Sequence, residues 1–233
     1  MSKRVVKYTD VGGVELCRHR DRIAMFVENI HGERKEFEPE TRAVFEGLVD
    51  SELAVIDVGA STGLYSILAV QCGAMEVFAI EPNPKAVKRL RHNLRHNGAQ
   101  EEVEIVEGAA SAFVGQGKLE IGGTEARGIS TTSKLVEGTG TGVTTLDVLV
   151  DAMCFSEVGL IKIDVEGHEL AVLTGAQELL ENEHPALIVE VNSRSGGDRE
   201  AEIAAYLELH GYEPRGKLLD GRNRFYHWTG RES

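Results

Sequence analysis

Val-Ile-Asp-Val-Gly-Ala-Ser-Thr-Gly-Leu-Tyr, residues 55–65, is an apolar run that stops at a glycine-bracketed turn and gives way to a helical pattern. It reads as strand, tight loop and helix. Such a turn points backbone N–H groups and the positive end of a helix at one spot, which suits an anionic or carboxylate-bearing ligand. The small residues Gly59, Ala60, Ser61 and Gly63 let that ligand come close. The dinucleotide fingerprint Gly-x-Gly-x-x-Gly is not met, because Ser61 and Leu64 stand where its later glycines belong. Asp57 lies just before the loop. A second apolar run, Val77 to Ile80, ends on Glu81, which is 81 − 63 = 18 residues beyond the second glycine. An acid at the carboxyl end of the second strand of such a unit can accept both hydroxyls of a ribose.

Outward from this unit, a chain of 233 residues is in the range of one α/β core. Residues 39–233 are expected to form it, with residues 1–38 as a short extension of β structure. No apolar run approaches the ~20 residues that a bilayer span needs. The first residues carry positive charge with no apolar core behind them, unlike a secretory signal, so a cytoplasmic protein is expected. A net charge of −13 works against broad binding to a phosphate backbone, so no nucleic-acid partner is expected. Cys17, Cys72 and Cys154 are widely spaced without a C-x-x-C pair and read as buried free thiols.

In chain order, alternating runs at Val14 to Cys17 and Ile23 to Val27 predict a hairpin or two short strands. Pro39 opens a helix carrying Val44, Phe45, Leu48 and Val49. Strand–helix pairs follow: Ala54 to Val58 with Leu64 to Cys72, then Val77 to Ile80 with a helix from Pro84 to Asn97-Gly98, then a strand from Val103 to Val106. The Pro84 helix has a basic face, but Val87, Leu90 and Leu94 form its core stripe and no aromatics are interleaved, which predicts a solvated face. Residues 112–142 are rich in Gly, Ser and Thr, with one strand predicted at Lys118 to Ile121; so long a connection is expected to cover a ligand site. Thr144 or Thr145 caps a helix from Leu146 to Ala152, with Asp147 as a dipole partner in its first turn. Beyond it lie a strand from Leu160 to Val165, one helix from Glu169 to Leu180, a strand from Ala186 to Val191 and a helix from Arg199 to His210. Strands Tyr212 to Arg215 and Arg224 to Trp228 are joined through Asp220-Gly221, a hairpin signal. The pattern is α/β: a single doubly wound, mostly parallel seven-stranded sheet with an antiparallel C-terminal strand pair.

Residues 55–63, Ile-Glu-Pro-Asn-Pro at 80–84, Ala109 with Ser111, Val-Thr-Thr-Leu-Asp at 143–147 and Ile-Lys-Ile-Asp-Val-Glu-Gly-His-Glu at 161–169 resemble the FkbM family of methyltransferases in order and spacing. The match runs from Glu40 to Asn192, and Asp-Val-Glu-Gly with the following His and Glu is its most specific piece. The resemblance implies a class I, Rossmann-like fold, S-adenosylmethionine as cofactor, and O-methylation of a hydroxyl on a small molecule, sugar or carrier-linked natural product. On it, Gly59, Ala60, Ser61 and Gly63 hold the methionine portion, Asp57 and Asp164 face its charged end, Glu81 holds the ribose, and Pro82 and Asn83 flank the adenine. Ala109 stands where many class I enzymes place an adenine-binding acid, which leaves a backbone contact or Glu107.

Methyl transfer is an in-line displacement, so most of the rate comes from positioning, and an alcohol must also lose its proton. Alternation along the fourth strand puts Asp164 and Glu166 on one side, with Glu166 and His168 over the methyl. Asp164, Glu166 and His168 are therefore the expected catalytic residues; His168 suits base work near neutral pH, or caps a helix instead. Lys162 reads as structural, neutralised by Asp57 or Glu190. Two other readings stay open: Mg²⁺ on Asp164, Glu190 and Asn192, as in catechol-type enzymes, and a non-catalytic cofactor-binding or interaction module. No metal ligand is assigned, and no oligomeric state follows from the sequence.

Overall fold

The computed structural model describes residues 7–18, 21–27, 36–121, 133–153, 156–191 and 199–230. Strands β1 (Tyr8–Val11) and β2 (Val14–Cys17) pair antiparallel. The next expected strand is instead a helix, α1 (Arg22–Val27). Asp21 is the reason: its carboxylate accepts the Ala24 N–H at 3.0 Å and its carbonyl the Met25 N–H, an N-cap that starts a helix. Ala24 and Val27 are then buried on one side.

Helix α2 (Pro39–Leu48), β3 (Ala54–Val58), α3 (Leu64–Gln71), β4 (Glu76–Ile80), α4 (Pro84–Asn97) and β5 (Val103–Val106) follow as the sequence predicts. The excursion after β5 holds more order than expected. Strands β6 (Ala109–Ala110), β7 (Gly115–Ile121) and β8 (Ser133–Thr144) form a sheet in the order β6-β8-β7. Then come α5 (Leu146–Met153), β9 (Val158–Ile163), α6 (Glu169–Thr174), α7 (Gln177–Asn182), β10 (Ala186–Glu190), α8 (Arg199–Leu209), β11 (Tyr212–Leu219) and β12 (Asn223–Trp228).

Seven strands make the main sheet, in the order β11-β12-β10-β9-β3-β4-β5. From β10 to β5 all pairings are parallel, and β12 runs antiparallel to both β10 and β11. Alternate residues feed two cores. Val55, Leu160 and Ile188 pack with Leu64, Ile67, Leu90 and Phe45, while Ile56, Ile161 and Val189 pack with Val172, Leu173, Ile203 and Tyr226. A sheet covered on both faces explains why its central strands read as continuous apolar runs.

The single helix expected from Glu169 to Leu180 is broken at Gly175 by a close approach. A Cβ at Gly175 would lie 2.0 Å from the Ser111 carbonyl oxygen. The Asp147 carboxylate accepts the Glu178 and Leu179 N–H groups at 3.2 and 2.9 Å, so Asp147 caps α7 across space as well as sitting in the first turn of α5. The basic face of α4 is only partly solvated. Tyr8 stacks on His96 with centroids 3.4 Å apart, Glu15 meets His96 Nε2 at 2.8 Å, and Arg89 donates to Cys17 Sγ at 2.7 Å, which docks the N-terminal hairpin there. Cys17 is buried as expected, Cys72 is half-buried, and Cys154 lies outside the described residues. Among the described residues no helix is long and apolar enough to cross a membrane.

Candidate active site

The carboxyl ends of β3, β4 and β9 open into a cavity of about 390 Å³. Asp57, Gly59, Ala60, Ser61, Glu81, Pro82, Ala109, Asp164, Glu166 and His168 all line it. Gly63 and Asn83 serve the walls instead. Gly63, at φ 95°, lets α4 approach, since a Cβ there would lie 2.4 Å from Leu90 Cδ1. Asn83 caps α4 through its side-chain oxygen, which accepts the Lys85 N–H at 3.0 Å. Glu107 pairs with Arg91 and is not among the residues that line the cavity.

The glycine loop shapes the site but keeps its donors for the protein. Gly59 and Ala60 both donate to the Ile80 carbonyl, at 2.9 and 3.1 Å, and Gly63 donates to the Ala60 carbonyl at 2.9 Å. Ser61 donates to the Glu81 carboxylate at 2.8 Å. Those four amides, which the sequence reading assigned to an anionic ligand, are thus bonded internally. Gly59 itself is required by the fold: at φ 84°, a Cβ would lie 2.0 Å from the Asp164 carbonyl oxygen.

Glu81 accepts on both oxygens, from Ser61 N–H and from Asn83 N–H, each at 2.8 Å. Burial pushes its carboxyl up to about 7 despite those two bonds. Asp57 is buried, which raises its pKa, and its carboxylate accepts the Ser66 hydroxyl at 2.6 Å.

Lys162 faces the same cavity. Its ammonium lies 3.2 Å from Asp164 Oδ2 and 4.5 Å from the Tyr65 ring centre, so the hydrogen-bonded counter-charge is Asp164 and not Asp57 or Glu190. Burial opposes its charge, but Asp164, Glu38 and Asp57 outweigh that and hold its pKa high. Burial would raise Asp164 too, yet Lys162 and a hydrogen bond from Glu190 bring it below the ordinary range. Burial, the Asp164 charge and that hydrogen bond push Glu190 up to about 9. At neutral pH, therefore, Glu190 keeps its proton and donates to Asp164. Asn192 lies outside the described residues, and among those described no three His, Cys, Asp or Glu side chains group as metal ligands.

Three polar lining residues, Glu38, Tyr65 and Arg222, are absent from the site that the sequence predicts. The Tyr65 hydroxyl donates to Glu38 at 2.7 Å, and Arg222 lies 3.3 Å from Glu38 and 3.5 Å from Glu190. The Asp-Gly turn between β11 and β12 brings them together. Asp220 accepts the Glu40 and Thr41 N–H groups at 3.3 and 2.7 Å, capping α2 beside Glu38, and Arg222 follows two residues later. Ile23 and Phe26 of α1, Phe37, and Leu119 and Leu135 of the β7–β8 hairpin supply an apolar side.

His168 Nε2 lies 2.9 Å from Ser111 Oγ. It occupies the N-cap position of α6 without a side-chain bond to the helix. Burial lowers its pKa, which leaves the imidazole neutral at pH 7. Glu166 precedes it in the left-handed region, at φ 53°, because β9 already ends at Ile163; the expected strand alternation does not place these side chains.

A mostly parallel sheet with this switch of strand order, a ligand cavity at its carboxyl ends and a buried acid after the second strand of the unit is the architecture of Rossmann-like nucleotide-binding proteins, to which S-adenosylmethionine-dependent methyltransferases belong. Residues 57–214, more than half of the chain, match the methyltransferase FkbM domain, and the chain belongs to that family, whose cofactor is S-adenosylmethionine. A crystal structure of methyltransferase FkbM from Methylobacillus flagellatus KT superposes on 78% of this chain and 45% of its own, at 21% identity and a TM-score of 0.54. A Streptococcus mutans protein in complex with SAH superposes on 80% of this chain and 94% of its own, at 11% identity and a TM-score of 0.52. At these identities the likenesses speak for the fold. In sequence, ribosomal protein L11 methyltransferase of Paraburkholderia phymatum is 42% identical over 65 residues, 27% of this chain. That match spans only 22% of the relative's length.

Proposed function

We propose that this chain transfers a methyl group from S-adenosylmethionine to a hydroxyl on a small-molecule or carrier-linked acceptor, with residues 39–233 as the catalytic domain and residues 1–38 as an extension over it. The observation that carries the reading is the imidazole of His168, fixed 2.9 Å from Ser111 Oγ on the wall that also presents Glu81 and Asp164. The donor set suits the cofactor. Glu81 holds the ribose hydroxyls, Asp57 and Asp164 face the cationic end, Gly59, Ala60 and Ser61 flank the methionine chain, and Pro82 and Ala109 border the adenine. Gly63 and Asn83 act by shaping the loop. When bound, the cofactor supplies an electrophilic methyl on a sulfonium.

An alcohol is almost wholly protonated at neutral pH, so a positioned base speeds its attack. His168 accepts the hydroxyl proton, Ser111 sets the ring's angle, and Glu166 borders the same space. The carboxylates around the cavity and the net charge of −13 disfavour a phosphate-rich acceptor. Single-turnover methyl transfer against a panel of alcohols, with ribosomal protein L11 and rRNA alongside, tests the reading. His168→Ala should slow transfer by about 10²-fold to 10⁴-fold while calorimetric cofactor affinity stays at the wild-type value. EDTA should leave turnover unchanged. Transfer to the protein or RNA alone, or turnover that EDTA abolishes and Mg²⁺ restores, sinks the proposal.

A further inference from the structure

The methionine end of the cofactor carries a carboxylate, and the amides of Gly59, Ala60, Ser61 and Gly63 are already bonded to Ile80, Glu81 and Ala60. A carboxylate brought out of water needs donors. Side chains can supply them, and the permanently charged ones among the described lining residues are Lys162 and Arg222. Lys162 is 2% exposed, bonded to Asp164 and packed on the Tyr65 ring.

Arg222 is placed differently. Its side chain is 33% exposed and lines the cavity. Its described contacts are ion pairs, to Glu38 at 3.3 Å and to Glu190 at 3.5 Å. Glu38 also accepts from Tyr65, the second residue of α3, and so sets Arg222 beside the glycine loop. A guanidinium presents its N–H donors in a rigid fork that matches the two oxygens of a carboxylate.

We infer that Arg222 receives the α-carboxylate of S-adenosylmethionine, the role that the sequence pattern assigns to the loop amides, while Asp57 and Asp164 face the ammonium. The inference rests on the cofactor reading given above and adds the residue that recognises one end of it. Glu38 thereby becomes a positioning residue, since it orients the fork without needing to touch the carboxylate.

Calorimetric titration of the full chain with S-adenosylmethionine and with its decarboxylated analogue, which keeps the ammonium and the sulfonium, tests this directly. The wild type should prefer the carboxylate form by about 10-fold to 100-fold, the range of a charge-assisted hydrogen-bonded pair. In Arg222→Gln that preference should fall to within about threefold of unity, with affinity for the analogue unchanged. Arg222→Lys, which keeps the charge and loses the fork, should retain an intermediate preference and guards against a misfolded Gln variant. Equal weakening of both ligands, or a preference that survives in Arg222→Gln, overturns the inference. A preference that disappears only in Lys162→Met also overturns it, in favour of the lysine. If the wild type binds neither ligand, the cofactor reading itself has failed, which is a separable result.

Discussion

Glu81→Gln separates two effects that a loss-of-function mutation would blur. The wild-type carboxyl is buried, accepts two backbone N–H groups and sits at about 7 instead of 4.5. A ribose donates to it best when it is ionised. If binding needs the carboxylate, affinity follows its ionised fraction, about one tenth at pH 6 and nine tenths at pH 8, so the dissociation constant should tighten about tenfold across that range. The substituted amide would keep one acceptor but oppose an N–H to one backbone amide, so binding at pH 8 should weaken by about 1 to 3 kcal/mol and lose its pH dependence. Stability should move the other way. Because the folded pKa lies above the ordinary value, the stability contributed by Glu81 is full below pH 4.5 and is lost as pH rises through about 7. The gap between 7 and 4.5, at about 1.36 kcal/mol per pH unit, is on the order of 3 kcal/mol. Glu81→Gln should therefore be less stable than wild type at pH 5 and should close or reverse that difference by pH 8. Calorimetric titration and urea unfolding at pH 5, 6, 7 and 8 read both. A wild-type affinity flat between pH 6 and 8, or variant binding equal to wild type at pH 8, refutes the reasoning.

Gly59→Ala should destabilise by roughly 2 to 5 kcal/mol, adding the left-handed backbone penalty to a contact at 2.0 Å with the Asp164 carbonyl; an unfolding midpoint within error of wild type would show that the two strand ends can separate freely. Leu119→Ser and Leu135→Ser, on the cavity side of the β7–β8 hairpin, should each raise the acceptor KM about tenfold by losing apolar contact. Cofactor affinity should hold in both, and an unchanged acceptor KM would remove the hairpin from the acceptor site.

The stretch from β3 through α4 is legible in the sequence because its signals are local. Gly73, Pro84 and Gly98 each mark a helix end through the conformation of their own backbone. The antiparallel C-terminal pair is readable for the same reason, since Asp220 and Gly221 both take positive φ. Residues 23–27 are too few to separate a strand period from a helical one, and the Asp21 cap decides between them. The partners of the glycine-loop amides cannot be read locally either. They depend on the parallel register that sets Val58 against Ile80. Glu38, Tyr65 and Arg222 lie on three elements far apart in sequence, so each alone resembles an ordinary surface or core residue. Gly175 looks like a tolerated helix residue until Ser111 fills the space beside it.

On the proposed reading, the same groups also account for where charge goes during transfer. Asp57, Asp164 and Glu166 line the wall that would face the sulfonium of a bound cofactor. His168, on the same wall, would take the acceptor's proton. The positive charge would then stay within the carboxylate field, which limits the rearrangement required of the protein. Burial keeps His168 below its ordinary pKa, so the imidazolium is a good proton donor to solvent. The ring also lines a second cavity, bordered by Ala112, Arg199 and Glu202. On the proposed reading, that placement would let the proton leave without passing the cofactor and would return His168 to its neutral form for another turnover.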